Sequence, residues 1–222
     1  MAWRNRERVQ RKAIDLIDRI QWQGHGSFAI HGSPFIQIAP WRVVKRESPP
    51  DAILIGHDHY DHCSPADVAK IRGEDTVVIG NESVARVIEG TTVLREWHSL
   101  RVDRASIKAM PAYSPNDPRH PPEAGGLGFV ISLDYFDIYY VGDSQIVPGM
   151  EQLRPDILLL PIDGYGRLTL DEALRLVEIL QPRWAIPYNW GGAGEEATQL
   201  DAQSFKSRIR GQSEVLLLPV TQ

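Results

Sequence analysis

The sequence predicts an α/β or α+β fold in which mixed β-sheets are covered by helices. Two observations indicate this class: short apolar, β-branched segments typical of strands occur in both halves of the chain, and amphipathic helical segments lie between them. The chain has 222 residues, no low-complexity linker and no internal repeat at a period of about 20–50 residues. We therefore expect residues 1–222 to form a single domain.

Residues 1–20 predict an N-terminal amphipathic helix. Its apolar positions recur at helical spacing on one face, at Ala13, Ile14, Leu16, Ile17 and Ile20. Arginines and a lysine supply the other faces, so a membrane-surface or nucleic-acid contact is one interpretation. We favour a solvated helix that docks on the main body of the domain.

The next third of the chain predicts strands followed by strand–loop–helix units. IQWQGHGSFAIHG and FIQIAPW are typical of a β-meander, because apolar runs alternate with glycine, serine and proline. AILIG predicts a buried strand, and SPADVAKI predicts a helix with Ser64 as its N-cap and Pro65 at its first position. TVVIG and NESVARVIEG predict a second strand and helix.

The rest of the chain is predicted to be strand-rich and then to alternate. Strands are expected in TTVLREW, ASIKAMPAY, LGFVIS and FDIYYVGD. The last third predicts strand DILLLPI, a helix with a Thr169–Glu172 capping box, strand RWAIP, a helix around Ala202–Ile209 and strand EVLLLP. The longest irregular stretch is PAYSPNDPRHPPEAGG, and a long ordered loop within a compact domain is usually functional.

Composition excludes several classes of function. The net charge is −5, the isoelectric point is about 5.8 and the mean hydropathy is −0.28, so the chain has no global positive field for nucleic acid and no apolar run that could span a membrane. One cysteine excludes an intramolecular disulfide framework. The start MAWRNRERVQRK lacks the apolar core of a secretion signal, so we expect a cytoplasmic protein.

The segment IGHDHYDHC concentrates ionisable side chains after a predicted strand. It places His57, His59, Asp61 and His62 within six residues. Crowded imidazoles would repel one another on protonation unless a cation organised them, so the pattern favours a metal site over simple acid–base chemistry. Neutral histidine with carboxylate suits zinc, iron or manganese. His57 and His59 point the same way in an extended segment, and Asp61 and His62 would face a second position, so two metals are plausible.

HDHYDH resembles the HxHxDH signature of the metallo-β-lactamase superfamily. The likeness extends over nearly the whole chain after the first helix and is greatest to the branch related to L-ascorbate-6-phosphate lactonase. It is carried further by GHGSF at 24–28, PAYSPNDPRH at 111–120, GLGFVI at 126–131, GDS at 142–144, LPIDG at 160–164 and TLDEA at 169–173. The resemblance implies a four-layer αβ/βα sandwich, with two mixed sheets flanked by helices and a usually dinuclear site at one edge.

The resemblance also implies a ligand set. His57, His59 and His120 would hold the first metal, Asp61 and His62 the second, and Asp143 would bridge them. Asn189 replaces the histidine that usually completes the second site. The expected cofactor is therefore one or two divalent metal ions, with zinc expected first and manganese or iron as alternatives.

The implied function is a metal-dependent hydrolase that activates a water molecule for attack on a small ester, lactone or phosphoester. Asp61 would be catalytic, orienting the nucleophile and carrying a proton to the leaving group. Diiron redox chemistry is a third possibility. The alternative from another class is a non-catalytic metal-binding or partner-binding protein whose second metal site has degenerated at Asn189. Expected partners are a small-molecule substrate and a possible second copy of the chain, with no nucleic acid and no membrane span.

Two further residues near these motifs each have two alternative interpretations. His25 in GHGSF either contacts substrate or is satisfied by backbone groups. Cys63, next to His62, either approaches the metals or is a small buried thiol, which is the commoner fate.

Overall fold

The computed structural model of the chain describes residues 16–45, 48–192, 195–211 and 213–221. The predicted N-terminal helix lies mostly outside these residues. Within them, Leu16 and Ile17 are helical, and Ile20 already begins strand β1. The predicted helical boundary at residue 20 is wrong because Ile20 pairs with Ile30 of the next strand and its side chain is buried there.

The first sheet has six strands in sequential order. They are β1 (Ile20–Trp22), β2 (Phe28–Ile30), β3 (Ile36–Ile38), β4 (Ala52–Ile55), β5 (Val77–Gly80) and β6 (Thr92–Val93). The first three form the predicted meander and are antiparallel, whereas β3 to β6 are parallel. The sheet is therefore mixed, and the carboxyl ends of β3, β4 and β5 meet at one edge.

The second sheet has seven strands in the order β13, β12, β11, β10, β9, β8, β7. They are β7 (Ser99–Val102), β8 (Ala105–Pro111), β9 (Leu127–Leu133), β10 (Phe136–Tyr140), β11 (Ile157–Pro161), β12 (Trp184–Tyr188) and β13 (Glu214–Val215). Because β8 and β10 are both antiparallel to β9, and β10 to β12 are parallel, strands β8, β10, β11 and β12 all run in one direction. Their carboxyl ends share one edge.

Within the part of the chain that the structure describes, four α-helices connect these strands. They are α1 (Pro65–Ile71), α2 (Glu82–Val87), α3 (Leu170–Leu180) and α4 (Gln199–Arg208), with short 3₁₀ turns at Pro122–Ala124 and Met150–Gln152. The predicted starts are confirmed: Ser64 Oγ accepts from Asp67 N, and Thr169 and Glu172 form a reciprocal capping box. These caps satisfy amide groups that have no partner within the helix.

The side-chain alternation of the strands sorts the core into layers. In β4, Ala52 and Leu54 join the cluster shared by both sheets, whereas Ile53 and Ile55 pack with Val68 and other residues around α1 and α2. A third cluster fills the space between the second sheet and helices α3 and α4. The predicted arrangement of two mixed sheets flanked by helices is confirmed.

The differences from the sequence-based elements lie at the sheet edges. TTVLREW and EVLLLP contribute only the two-residue strands β6 and β13, whose side chains are mostly exposed. Strand β7 was not anticipated as a separate element, since it alternates polar and apolar residues over only four positions. In the part of the chain that the structure describes, no helix has the length and apolar character needed to cross a bilayer.

Candidate metal centre

The predicted site residues follow the carboxyl ends of strands from both sheets. His57, His59 and His62 lie in the loop between β4 and α1. His120 lies in the loop after β8, Asp143 follows β10, and Asn189 directly follows β12. The two edges are tied together by Leu127 N, which donates a hydrogen bond to Gly56 O at 3.0 Å. The fold therefore delivers residues distant in sequence to one place.

Five of these side chains form two overlapping groups of potential ligands. The first contains His57, His59 and His120, and the second contains His57, His62 and Asp143. Within each group, the nitrogen and oxygen atoms that face one another all lie within 4.8 Å. Such groups match the ligand types and numbers that hold zinc and related metals.

Asp143 lies between the imidazoles of both groups. Its Oδ2 is 3.3 Å from His120 Nε2 and 3.8 Å from His57 Nε2, and its Oδ1 is 3.4 Å from His62 Nε2. The preceding Gly142 has φ = 74°, a left-handed conformation that favours glycine, and this turn directs the chain out of β10 towards the site. Asp143 therefore lies close to histidines of both ligand groups.

Local hydrogen bonds fix the two histidine loops. His62 N and Cys63 N both donate to His59 O, at 2.9 and 2.7 Å, which closes a tight turn before α1. Ser114 N donates to His120 O at 2.7 Å, so the long irregular loop is closed at the histidine. The predicted functional loop is thus ordered where it carries His120.

Burial and neighbouring charges shift the proton affinities of the cluster. Burial, helped by the charge of His62, holds the pKa of His57 well below its usual value, and burial and His120 lower the pKa of His59. Burial alone would lower the pKa of His62, but the negative charge of Asp143 outweighs this effect and the pKa of His62 is raised. Burial alone would raise the pKa of Asp143, yet His62 and Arg167 hold it well below its usual range. His57 and His59 are therefore neutral near pH 7, the state that binds metals.

Several buried polar atoms in this cluster lack hydrogen-bond partners among the described residues. They are His57 Nε2, His120 Nδ1 and Nε2, Asp143 Oδ1 and Asn189 Oδ1. A buried polar group without a partner costs about 1–3 kcal/mol, so a concentration of them at one point calls for a ligand. Imidazole nitrogen with carboxylate oxygen is a donor set for a divalent cation, and the residues present fit such an ion.

Asp61 lies outside both groups of three. Its Oδ2 is 3.8 Å from His62 Nε2, and its side chain is 22% exposed. It is therefore beside the second group and within reach of solvent.

Asn189 occupies the end of β12 in an unusual backbone conformation. Its φ is 60°, a left-handed conformation that asparagine tolerates better than most residues, and it is 1% exposed. The preceding Tyr188 stacks on Tyr140 and donates a hydrogen bond to Gly142 O at 3.1 Å. Asn189 is thereby held at the same edge as Asp143.

Arg167 contacts Asp143 directly but is not among the site residues predicted from the sequence. Arg167 Nη1 donates to Asp143 Oδ2 at 2.8 Å, and Arg167 Nε donates to Asp163 Oδ1 at 2.9 Å. Both carboxylates raise the pKa of Arg167 against the effect of its burial. The available signal was LPIDG, which places the charged Asp163 two residues after the end of a buried strand, with Arg167 four residues later.

The GHGSF segment packs beside the site rather than within either ligand group. A Cβ on Gly26 would lie 2.6 Å from Tyr140 Oη and 2.7 Å from His62 Cε1, so only glycine fits there. His25 Nδ1 is 3.0 Å from Glu195 Oε1, and its ring meets the edge of Trp41. His25 is thus partnered by a side chain, not by the backbone groups considered above.

Cys63 points away from the histidines. It is 3% exposed and belongs to the apolar cluster under α1 and α2. Burial and, secondarily, Asp58 raise its pKa to about 11. The structure therefore favours the buried-thiol interpretation.

The space above the cluster is small and lies beside a larger cavity. A cleft lined by His57, His59, His120, Arg119 and Asp143 adjoins a cavity of about 270 Å³. The two share the wall Ala124, Gly126 and Leu127. These dimensions suit a small molecule.

Comparison with known proteins agrees with the fold. Residues 19–189 match the model of the beta-lactamase superfamily domain, so the fold and the site define a metal-dependent hydrolase of the metallo-β-lactamase superfamily. A UPF0173 metal-dependent hydrolase from Thermococcus onnurineus (strain NA1) is 31% identical over 216 residues, covering 90% of this chain and 96% of the relative. The chain belongs to the UPF0173 metal-dependent hydrolase family.

Solved structures show the same fold at lower identity. A crystal structure from Parabacteroides distasonis ATCC 8503 has a TM-score of 0.77 and 24% identity, covering 90% of this chain and 93% of that one. Igni18, a metallo hydrolase from Ignicoccus hospitalis KIN4/I, has a TM-score of 0.73 and 18% identity, covering 91% and 95%. The predicted four-layer fold is confirmed, and the alternative of a non-catalytic binding protein finds no support.

Proposed function

We propose that this hydrolase acts on a small ester, lactone or phosphoester, with zinc as its first expected metal. The observation that carries the proposal is the convergence of His57, His59, His62, His120 and Asp143 in two groups of potential ligands. Buried atoms of His57, His120 and Asp143 have no hydrogen-bond partner among the described residues. A divalent cation bound there would lower the pKa of a water molecule towards neutrality and polarise the electrophile.

The protein side chains have distinct tasks in this proposal. His57, His59 and His120 would hold the first ion. Because the pKa values of His57 and His59 are lowered, no proton has to leave either of these two rings near pH 7. Asp143 stays ionised and contributes the negative charge of the second ligand group. Asp61 would hold the attacking water, accept the proton that this water loses and pass the same proton to the leaving group, since its carboxylate is partly exposed and close to His62.

The size and charge of the site support a small substrate. The cleft over the histidines admits only a small reacting group, and the adjoining cavity of about 270 Å³ leaves room for the rest of a metabolite. The net charge of −5 disfavours a nucleic acid. The likeness of GHGSF, LPIDG and TLDEA to the lactonase branch supports lactones as the first compounds to test.

The experiment combines metal analysis with a substrate panel. Protein purified without chelators is analysed for zinc, manganese and iron, and is then assayed on lactones, carboxylic esters, phosphomonoesters and phosphodiesters. We expect bound divalent metal and turnover on one of these classes, lost after chelation and restored by the metal. Absence of divalent metal from the purified protein, together with no uptake on titration, would overturn the proposal.

Asp61→Asn separates the proton-transfer role from metal binding. We expect a lower kcat and a changed pH profile, with at least one metal ion retained. An unchanged kcat and pH profile would remove Asp61 from the mechanism.

A further inference from the structure

Arg167 is a buried cation fixed against the centre. Its side chain is 11% exposed, and that of its partner Asp163 is 1% exposed. Arg167 Nε donates to both carboxylate oxygens of Asp163, at 2.9 and 3.1 Å, and Nη2 contacts Oδ2 as well. The guanidinium is therefore locked in orientation by a multiply hydrogen-bonded pair.

The other terminal nitrogen of this guanidinium, Nη1, forms a hydrogen bond with Asp143. Nη1 donates to Oδ2 at 2.8 Å, and this same oxygen is the one nearest to His57 and His120. One lone pair of Oδ2 is thus committed to Arg167, and the oxygen cannot bridge two ions with both lone pairs. Oδ1, which faces His62, is the only oxygen of Asp143 left without a protein donor.

The charges near the centre also disfavour a second dication. Asp143 is the single carboxylate in the two ligand groups found among the described residues, and it already faces a fixed positive charge. Asp163 is paired with Arg167, so these three side chains together carry one net negative charge. Asp61, whose Oδ2 is 3.8 Å from His62 Nε2, adds a further negative charge beside the second group, so one dication balances the local charge. A second dication, sharing His57 with the first, would add a large repulsion in a buried site.

We propose that Arg167 serves as an internal cation that restricts this centre to one tightly bound metal ion. This inference rests on the proposed function, since it requires a metal centre at the histidine cluster. Arg167 acts through Asp143 and is a positioning residue. Asn189 Oδ1, another unpartnered oxygen at this edge, is neutral and adds no charge that would offset a second ion.

The test is a titration of metal-free protein with Zn²⁺ by calorimetry and equilibrium dialysis, with Co²⁺ absorption as a second measurement. The wild type should bind one ion tightly and a second at least about 100-fold more weakly. Arg167→Gln, which keeps hydrogen-bond donors but removes the charge, should bring the two affinities within about tenfold. Arg167→Lys retains the charge and should still bind one ion.

Two further variants keep the test decisive. Asp163→Asn combined with Arg167→Gln removes both charges of the pair, so no unpaired carboxylate is left to destabilise the fold. Arg119→Gln is the matched control, because Arg119 lines the same cleft but pairs with Asp117. It should retain the single-ion stoichiometry.

The outcomes distinguish this inference from the function on which it rests. A wild type that binds two ions with similar affinity overturns it, as does one tight ion in both charge-removing variants, or a second tight ion in Arg167→Lys. In each of these cases the metal centre itself stands. A wild type that takes up no Zn²⁺ or Co²⁺ overturns both proposals.

Discussion

His120 Nε2 lies 3.3 Å from Asp143 Oδ2, although one residue belongs to the loop after β8 and the other to the turn after β10. The contact exists because β8 and β10 run in the same direction on either side of β9. Neither ring nitrogen of His120 has a hydrogen-bond partner in the described structure. The pair is therefore held by the sheet and is available to a bound cation.

Replacing His57 with alanine should remove the metal and the activity together. His57 is shared by both ligand groups, so its loss weakens each of them. We expect metal content well below one ion per chain and turnover reduced by about 10²–10⁴-fold, the effect of losing Lewis-acid stabilisation. Metal analysis, circular dichroism and activity measure this. His98→Ala, at an exposed histidine, is the control, and full activity in His57→Ala would contradict the assignment.

Asn189→His should increase metal content. A histidine at the end of β12 would add an imidazole at the edge where Asp143 lies. The left-handed φ of 60° suits histidine less well than asparagine, so we expect a loss of about 1 kcal/mol in stability. Quantitative metal analysis and thermal unfolding measure both effects. Asn116→His, on an exposed loop, controls for adventitious binding. Unchanged stoichiometry would place residue 189 outside the coordination sphere.

The stability of the metal-free protein should fall on acidification below pH of about 6.5. His57 has a lowered pKa in the folded state, so the unfolded chain binds a proton that the folded chain does not. The free energy of unfolding then drops by about 1.4 kcal/mol per pH unit from His57 alone, and His59 acts in the same direction.

The contribution of His62 to stability changes with pH in the opposite direction. Its raised pKa contributes stability that is complete below its unfolded pKa and is lost as pH rises through the folded pKa. Urea unfolding of the metal-free protein across this range measures the profile, and His57→Gln should flatten its acidic side. A wild type that gains stability between about pH 6.5 and 5.5 would contradict the shift of His57.

The Cys63 thiol should be unreactive in the folded protein. Its pKa of about 11 leaves about 100-fold less thiolate at pH 8 than an ordinary cysteine, and the side chain is 3% exposed. Ellman's reagent should label it slowly in buffer and completely in denaturant. The signal is unambiguous because the chain has one cysteine. Rapid labelling of the folded protein would show that Cys63 is accessible.

Local signals were sufficient for most elements of the fold. The caps at Ser64 and Thr169 are short-range hydrogen bonds, so they are visible in sequence and are present in the structure. The edge strands β6 and β13 were predicted too long because their length depends on a neighbouring strand for pairing, which apolar composition does not report. The predicted end of the N-terminal helix was wrong for a similar reason, since Ile20 pairs with Ile30 of β2 and so belongs to strand β1.

Site residues that are adjacent in the sequence could be predicted from the sequence pattern, whereas those on separate loops could not. His57, His59 and His62 form one contiguous motif, and their grouping was inferred from residue types alone. His120 and Asp143 were assigned through the resemblance, because nothing local indicates that two separate loops meet. Arg167 was missed because an ion pair with Asp143 depends on how the loop after β11 folds back, which no short-range pattern specifies.

The hydrogen bond from Leu127 N to Gly56 O spans the seam between the two sheets at the rim that carries the histidines. An ion bound by His57 on one side and His120 on the other would cross-link the two sheets at this rim. Without that ion, backbone hydrogen bonds of this kind remain between the two sheets. The rate of amide exchange at Leu127 should therefore report whether the ion is bound, even in a variant that has no catalytic turnover.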